Sequence, residues 1–251
     1  MTYRLRQEER IRACGSSLCV GLDPRPELTE GSVEDFLLRV VEETCERAAA
    51  YKPNLAYFEA MGVEGWAILE RVRHAIPEEI PVVLDAKRGD IGETQRYYAR
   101  ACFEHWNADA VTLNPFLGFD SIEPFLGYVG KGVYLLAVTS NPGAADIQMR
   151  RSEGRYVFEF VQDMALRAPE GSAGLVVGLT QAVPEVLGRL ADLPLLVPGL
   201  GAQGGDLEML AGLERTAPVL VNVSRGILYD HPERTFAEKA RFYADKIAGV
   251  L

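Results

Sequence analysis

Short apolar runs, most of them rich in β-branched residues, stand along the chain at 17–22, 50–54, 82–88, 110–113, 132–139, 174–178, 195–198 and 219–223. Each is too short for a buried helix and lacks the alternation of a strand with one wet face, so each predicts a strand covered on both sides. Between the runs the apolar positions recur every three or four residues. Val33, Phe36, Leu37, Val40, Val41, Thr44, Cys45 and Ala48 form one such stripe, with Ser32 as its cap and Asp35 placed as in a capping box. A helix over 63–76 ends before Pro77, and another carries Tyr97, Tyr98, Ala101 and Cys102. A third buries Tyr156, Val157, Phe160, Val161 and Met164, and the last starts near 230–233 and buries Phe236, Ala240, Tyr243 and Ile247. Residues 1–15 read as a short amphipathic leader helix with Leu5 and Ile11 among charges. The segment 140–154 reads as a long loop, a length that in a compact domain usually serves function.

Strand followed by helical segment, eight times within 251 residues, predicts an α/β fold of the (β/α)8 TIM-barrel class, as one domain over 1–251. An open doubly wound sheet is the alternative. It calls for Gly-x-Gly-x-x-Gly after the first strand, where this chain has Gly21-Leu22-Asp23-Pro24-Arg25-Pro26.

Composition narrows the partners. A net charge of −10 argues against nucleic acid, and it requires that any anionic small substrate meet a local positive pocket. No apolar run approaches the ~20 residues of a membrane span. The first ten residues are charged in both signs and lack an apolar signal core, so the expected location is the cytoplasm, with no membrane partner. Cys14, Cys19, Cys45 and Cys102 form no Cys-x-x-Cys pair, and His74, His105 and His231 are scattered; reduced, packed thiols are expected, and no metal site.

In a barrel the carboxyl ends of the strands face the active site. Taken in order, those ends carry Asp23, Lys52, Asp85, Lys87, Asp90, Asn114, Ser140, Thr180, Gln203 and Arg225. The 82–94 stretch concentrates this chemistry: an apolar strand ends in Asp85, Lys87 and Asp90, with Asp85 and Lys87 on the same strand face. Such a group is either a structural ion pair or a catalytic charge array. The 198–205 and 223–227 segments add glycines and Arg225 after the last two strands. They serve either as turns or as a phosphate cradle, in which backbone N–H groups approach an anion and a guanidinium fork matches it. No organic cofactor motif is present, so the residues point to a cofactor-free barrel enzyme for a small phosphorylated anion.

Asp85-Ala86-Lys87-Arg88-Gly89-Asp90-Ile91 resembles the Asp-x-Lys-x-x-Asp-Ile signature of the orotidine 5′-phosphate decarboxylase family, in its bacterial branch with longer loops. The resemblance extends over nearly the whole chain. Residues 18–24 are similar to the family's first-strand motif, which implies that Asp23 contacts the ribose. Lys52 falls at the second-strand lysine. Asp90 and Thr94 match residues that reach the partner's site in a homodimer. Ser140, in Thr139-Ser140-Asn141-Pro142-Gly143, matches the serine that reads the pyrimidine edge; Gln203 and Arg225 match the phosphate ligands.

The activity this implies is conversion of orotidine 5′-monophosphate (OMP) to UMP and CO2, the last step of de novo pyrimidine nucleotide synthesis. Catalysis would be electrostatic: Lys87 stabilises the C6 carbanion and protonates it, Asp85 lies by the substrate carboxylate, and Lys52 and Asp90 hold Lys87 charged. The nearest alternative is a related Mg-dependent sugar-phosphate decarboxylase or aldolase on the same barrel. A non-catalytic nucleotide-binding barrel has no use for Asp85 and Lys87.

Overall fold

A computed structural model describes residues 1–200, 207–212 and 215–251. Eight parallel strands form the frame: β1 (Leu18–Leu22), β2 (Ala50–Pro53), β3 (Val83–Arg88), β4 (Ala110–Leu113), β5 (Gly132–Val138), β8 (Ala173–Val177), β9 (Leu195–Val197) and β10 (Val219–Val223). The remaining two, β6 (Arg151–Ser152) and β7 (Arg155–Tyr156), form a separate antiparallel hairpin. The hydrogen-bonded order is β2-β1-β10-β9-β8-β5-β4-β3, and bridges Tyr51↔Val82 and Asn54↔Asp85 close the ring. The predicted barrel is thus observed.

The helices are α1 (Tyr3–Cys14), α2 (Val33–Thr44), α3 (Leu55–Ala60), α4 (Gly62–Ala75), α5 (Gly92–Arg100), α6 (Glu123–Leu126), α7 (Val157–Leu166), α8 (Pro184–Leu187), α9 (Arg225–Leu228) and α10 (Phe236–Ala248). Ser32 caps α2 as expected, its side chain accepting from Asp35 N. The main core lies between strands and helices, and a second cluster fills the barrel itself with Cys19, Ala50, Val83, Ala110, Tyr134, Val176, Leu196 and Leu220.

Several boundaries differ from the sequence reading. Helix α10 starts at Phe236, because Thr235 and Glu238 form a reciprocal capping box that fixes the start after Pro232. Helix α7 buries Val161 as expected, with Tyr156, its N-cap, and Met164 half-buried against the core, but its fully buried positions also include Phe158 and Ala165. The 140–154 segment is not structureless: Pro142–Asp146 is a 3-10 turn, and the β6–β7 hairpin turns at Glu153 (φ 54°) and Gly154 (φ 78°). Two successive left-handed residues match the twist of a tight hairpin.

Helix α1 keeps only part of its expected apolar stripe: Ile11 is half-buried against the barrel cluster. Leu5 is exposed, and the buried residues are Tyr3, Gln7 and Cys14. They close the barrel's lower end. Tyr3 Oη donates to Tyr134 Oη at 3.3 Å, and Tyr134 Oη donates to Gln7 Oε1 at 3.0 Å. Gly132 makes room for the Tyr3 ring; a Cβ there would sit 2.4 Å from it. With the lower end sealed, the open end lies at the strand carboxyl termini. The four cysteines are free thiols, and burial pushes Cys19, just inside the barrel, up to about 12.

Candidate active site

A cleft of about 340 Å³ opens at the carboxyl ends of the strands. It brings together Asp23, Lys52, Asp85, Lys87, Ser140 and Arg225 from the sequence-derived set. Asn114 and Thr180 do not line it: Asn114 caps the turn after β4 by accepting from Phe116 N, and Thr180 donates to Ser140 O. Gln203 lies outside the described residues.

Asp85 is the hub. Its Oδ2 accepts from Lys52 Nζ at 2.7 Å and its Oδ1 from Lys87 Nζ at 2.6 Å and Thr112 Oγ1 at 2.9 Å. Burial alone would push this carboxyl up, but the two ammonium groups outweigh burial and hold it well below the usual carboxylate range. Burial likewise works against the Lys52 ammonium, and Asp85 with Asp23 reverses the effect and raises it above an ordinary lysine. Lys52 is fully enclosed, whereas the Lys87 side chain is half exposed toward the cleft. The triad therefore has a buried, fixed end and an accessible end.

Lys87 also sits in the left-handed region, at φ 46°. A non-glycine residue there costs about 1–2 kcal/mol, a cost typical of residues held for function. The β3–β4 register shifts between Leu84 and Arg88, so the strain coincides with a bulge.

The cleft has two chemically distinct walls. Leu136, Val176 and Leu196 supply an apolar side; the other side is charged. Among the described lining residues, Arg25, Lys52, Lys87 and Arg225 oppose the carboxylates of Asp23 and Asp85. A chain of net charge −10 thus presents a cationic cleft, as an anionic substrate requires. Asp23 Oδ1, Ser140 Oγ and Asn222 Oδ1 are buried in its lining without a hydrogen-bond partner among the described residues. Buried polar atoms left so cost roughly 1–3 kcal/mol each, and their convergence on one cleft points to a ligand that bonds them.

Sequence reasoning missed Arg25, Thr112 and Asn222. Arg25 lies three residues past the end of β1, whereas Thr112 and Asn222 interrupt apolar strands at inward-facing positions. A polar residue inside a doubly covered strand is the signal that could have found the last two. At the far end, Arg225 opens α9 beside Gly199, whose φ of 88° needs glycine. A cation at the positive end of a helix is unfavourable by itself and favourable around an anion.

Asp90 and Thr94 are not brought to this cleft. Asp90 Oδ1 accepts from Ile91 N, and Thr94 is exposed on α5. Among the described residues no group of three or more His, Cys, Asp or Glu side chains could hold a metal ion. No helix is long and apolar enough to cross a membrane, among the residues described.

Barrel, cationic cleft and a Lys-Asp-Lys array with one buried and one accessible lysine define a class: a TIM-barrel enzyme that acts on a small anion. The profile of the Orotidine 5'-phosphate decarboxylase / HUMPS family matches residues 16–240, and the chain belongs to that family. It is 45% identical to the orotidine 5'-phosphate decarboxylase of Thermomicrobium roseum, over 100% of this chain and 95% of that one. It is 47% identical to that of Paracidovorax citrulli, over 94% of this chain and 93% of that one. Leishmania donovani OMP decarboxylase has the same structure with a TM-score of 0.88 at 41% identity, covering 100% of this chain and 99% of that one.

Proposed function

We propose that this chain decarboxylates OMP to UMP and CO2, with Lys87 as the proton donor. The observation that carries this reading is the Lys52–Asp85–Lys87 array, in which one carboxylate is flanked at 2.7 and 2.6 Å by two ammonium groups. The C6–carboxylate bond breaks, its electron pair stays on C6, and CO2 leaves toward the apolar wall. Lys87 stabilises the developing charge and transfers a proton to C6. Asp85 disfavours the bound carboxylate, and Lys52 keeps Asp85 ionised. Asp23 takes the ribose, Ser140 the pyrimidine edge, and Arg225 with Gln203 the phosphate; binding energy from the phosphate end serves the reaction at C6.

The functional unit is a cytoplasmic homodimer of one-domain barrels in which Asp90 and Thr94 complete the partner's site. In support, Asp90 is followed by exposed apolar residues, Ile91 and Tyr97, with Phe116 and Leu117 exposed beyond β4. Mixing Asp90→Ala with Lys87→Ala protein tests this: recovery of activity in the mixture is expected, and its absence, with subunit exchange demonstrated, contradicts the shared site.

The family also holds sugar-phosphate enzymes. The Ser140 hydroxyl, which has no partner among the described residues, and the net cationic cleft favour the nucleotide. Incubation of the protein with OMP and EDTA should remove the orotate absorbance and yield UMP. No change in OMP, with turnover of a sugar phosphate on addition of Mg2+, would reverse the assignment.

A further inference from the structure

The catalytic strand departs from regular pairing at the array itself. Leu84 pairs with Val111 and Arg88 with Leu113, so Asp85, Ala86 and Lys87 all face one residue, Thr112. The amides of Ala86 and Lys87 fall outside the paired register. Thr112 Oγ1 accepts from both, at 3.1 and 3.0 Å, and gives its own hydrogen to Asp85 Oδ1 at 2.9 Å. Thr112 is 1% exposed, so water has no room to replace it. One hydroxyl therefore binds both members of the reactive pair, Lys87 through its backbone and Asp85 through its side chain. It does so at the point where Lys87 occupies a left-handed conformation that a lysine does not favour.

We propose that Thr112 is a positioning residue for the reaction: its hydroxyl holds the strained Lys87 backbone and the Asp85 carboxylate so that the ammonium is set before substrate arrives. This rests on the reading of Lys87 as the proton donor. A strained backbone persists only where its surroundings over-determine it, and here three hydrogen bonds to a single oxygen do so. Without that oxygen, the two amides seek other partners, and the ammonium is displaced from its place over C6. Valine matches threonine in shape and lacks every one of these bonds; serine keeps the oxygen.

The test compares Thr112→Val with Thr112→Ser. For Thr112→Val, kcat on OMP is expected to fall about 100-fold, the scale of an ångström-sized misplacement, while the Kd for UMP stays within about threefold. Thr112→Ser is expected to recover most of that loss. In a crystal structure of Thr112→Val, Lys87 should leave the left-handed region. Three results would overturn the proposal: a valine variant with wild-type kcat, an equal fall in UMP affinity and kcat, or a serine variant as impaired as valine. Should the valine variant not fold, Thr112→Ala takes its place in the same comparison. If the wild-type protein does not turn over OMP, the proposed reaction fails. The Lys87 conformation in the valine variant still decides the role of Thr112, and an unchanged left-handed φ ends it.

Discussion

Lys52 Nζ and Asp85 Oδ2 lie 2.7 Å apart, with both side chains buried. Removing one partner from such a pair leaves an uncompensated buried charge, here only partly relieved by Lys87. Lys52→Met should therefore lower stability by about 3 kcal/mol, measured by urea denaturation. A loss under about 0.5 kcal/mol, as for surface substitutions, would show that the pair does not bear on stability.

The same pair sets a pH window. Asp85 is held below its unfolded value, so its contribution is complete above about pH 4 and is lost as pH falls further. Lys52 is held above its unfolded value, so its contribution is complete below about pH 10 and is lost as pH rises through the raised value. The stability difference between wild type and Lys52→Met/Asp85→Asn should be flat between these limits. It should shrink by about 1 kcal/mol from pH 4 to pH 3. An unchanged difference across that last step would contradict the lowered carboxyl.

Lys87→Ala removes the accessible end of the array and leaves the buried pair intact. Turnover of OMP should fall below detection while UMP binding, followed by calorimetry, remains measurable. Full activity in this variant would end the case for Lys87 as proton donor.

Arg225→Ala should weaken UMP by about 10- to 100-fold, the range of a charge-assisted hydrogen bond, and leave uridine binding nearly unchanged. Equal losses for the two ligands would remove Arg225 from the phosphate.

Gly132→Ala acts at the opposite end of the barrel. Its Cβ would meet the Tyr3 ring at 2.4 Å, so α1 must shift. A destabilisation of about 1–3 kcal/mol is expected from thermal or denaturant unfolding, with kcat preserved. Loss of kcat at full stability would mean that the floor and the cleft are coupled.

The barrel was legible because doubly covered strands read as unbroken apolar runs, and all eight appear within a residue or so of their expected bounds. The charge array was legible for the same reason: Asp85 and Lys87 are out of place in such a run. What escaped notice depends on geometry that spacing does not encode. The bulge opposite Thr112 appears only once β4 is set beside β3. The β6–β7 hairpin turns on Glu153, which lacks the turn signal of asparagine or aspartate. Arg25 reaches the cleft from a loop, where periodicity says nothing. Helix α1 carries little apolar stripe because it seals a small opening with Tyr3 and Gln7 against Tyr134 of β5 rather than covering a face.

That seal bears on the order of assembly during synthesis. Arg10 of α1 reaches the nearby Cys45 and Ala48 carbonyls, but the ties that seal the base are to distant parts of the chain: Tyr3 and Gln7 to Tyr134, and the Arg4 amide to Gly171. Made before the strands, α1 can meet the end of α2 early through Arg10, but its seal must wait until β5 has brought in Tyr134. The nascent barrel therefore grows with its base open, and Tyr3 and Gln7 close it only after the strands up to β5 are in place.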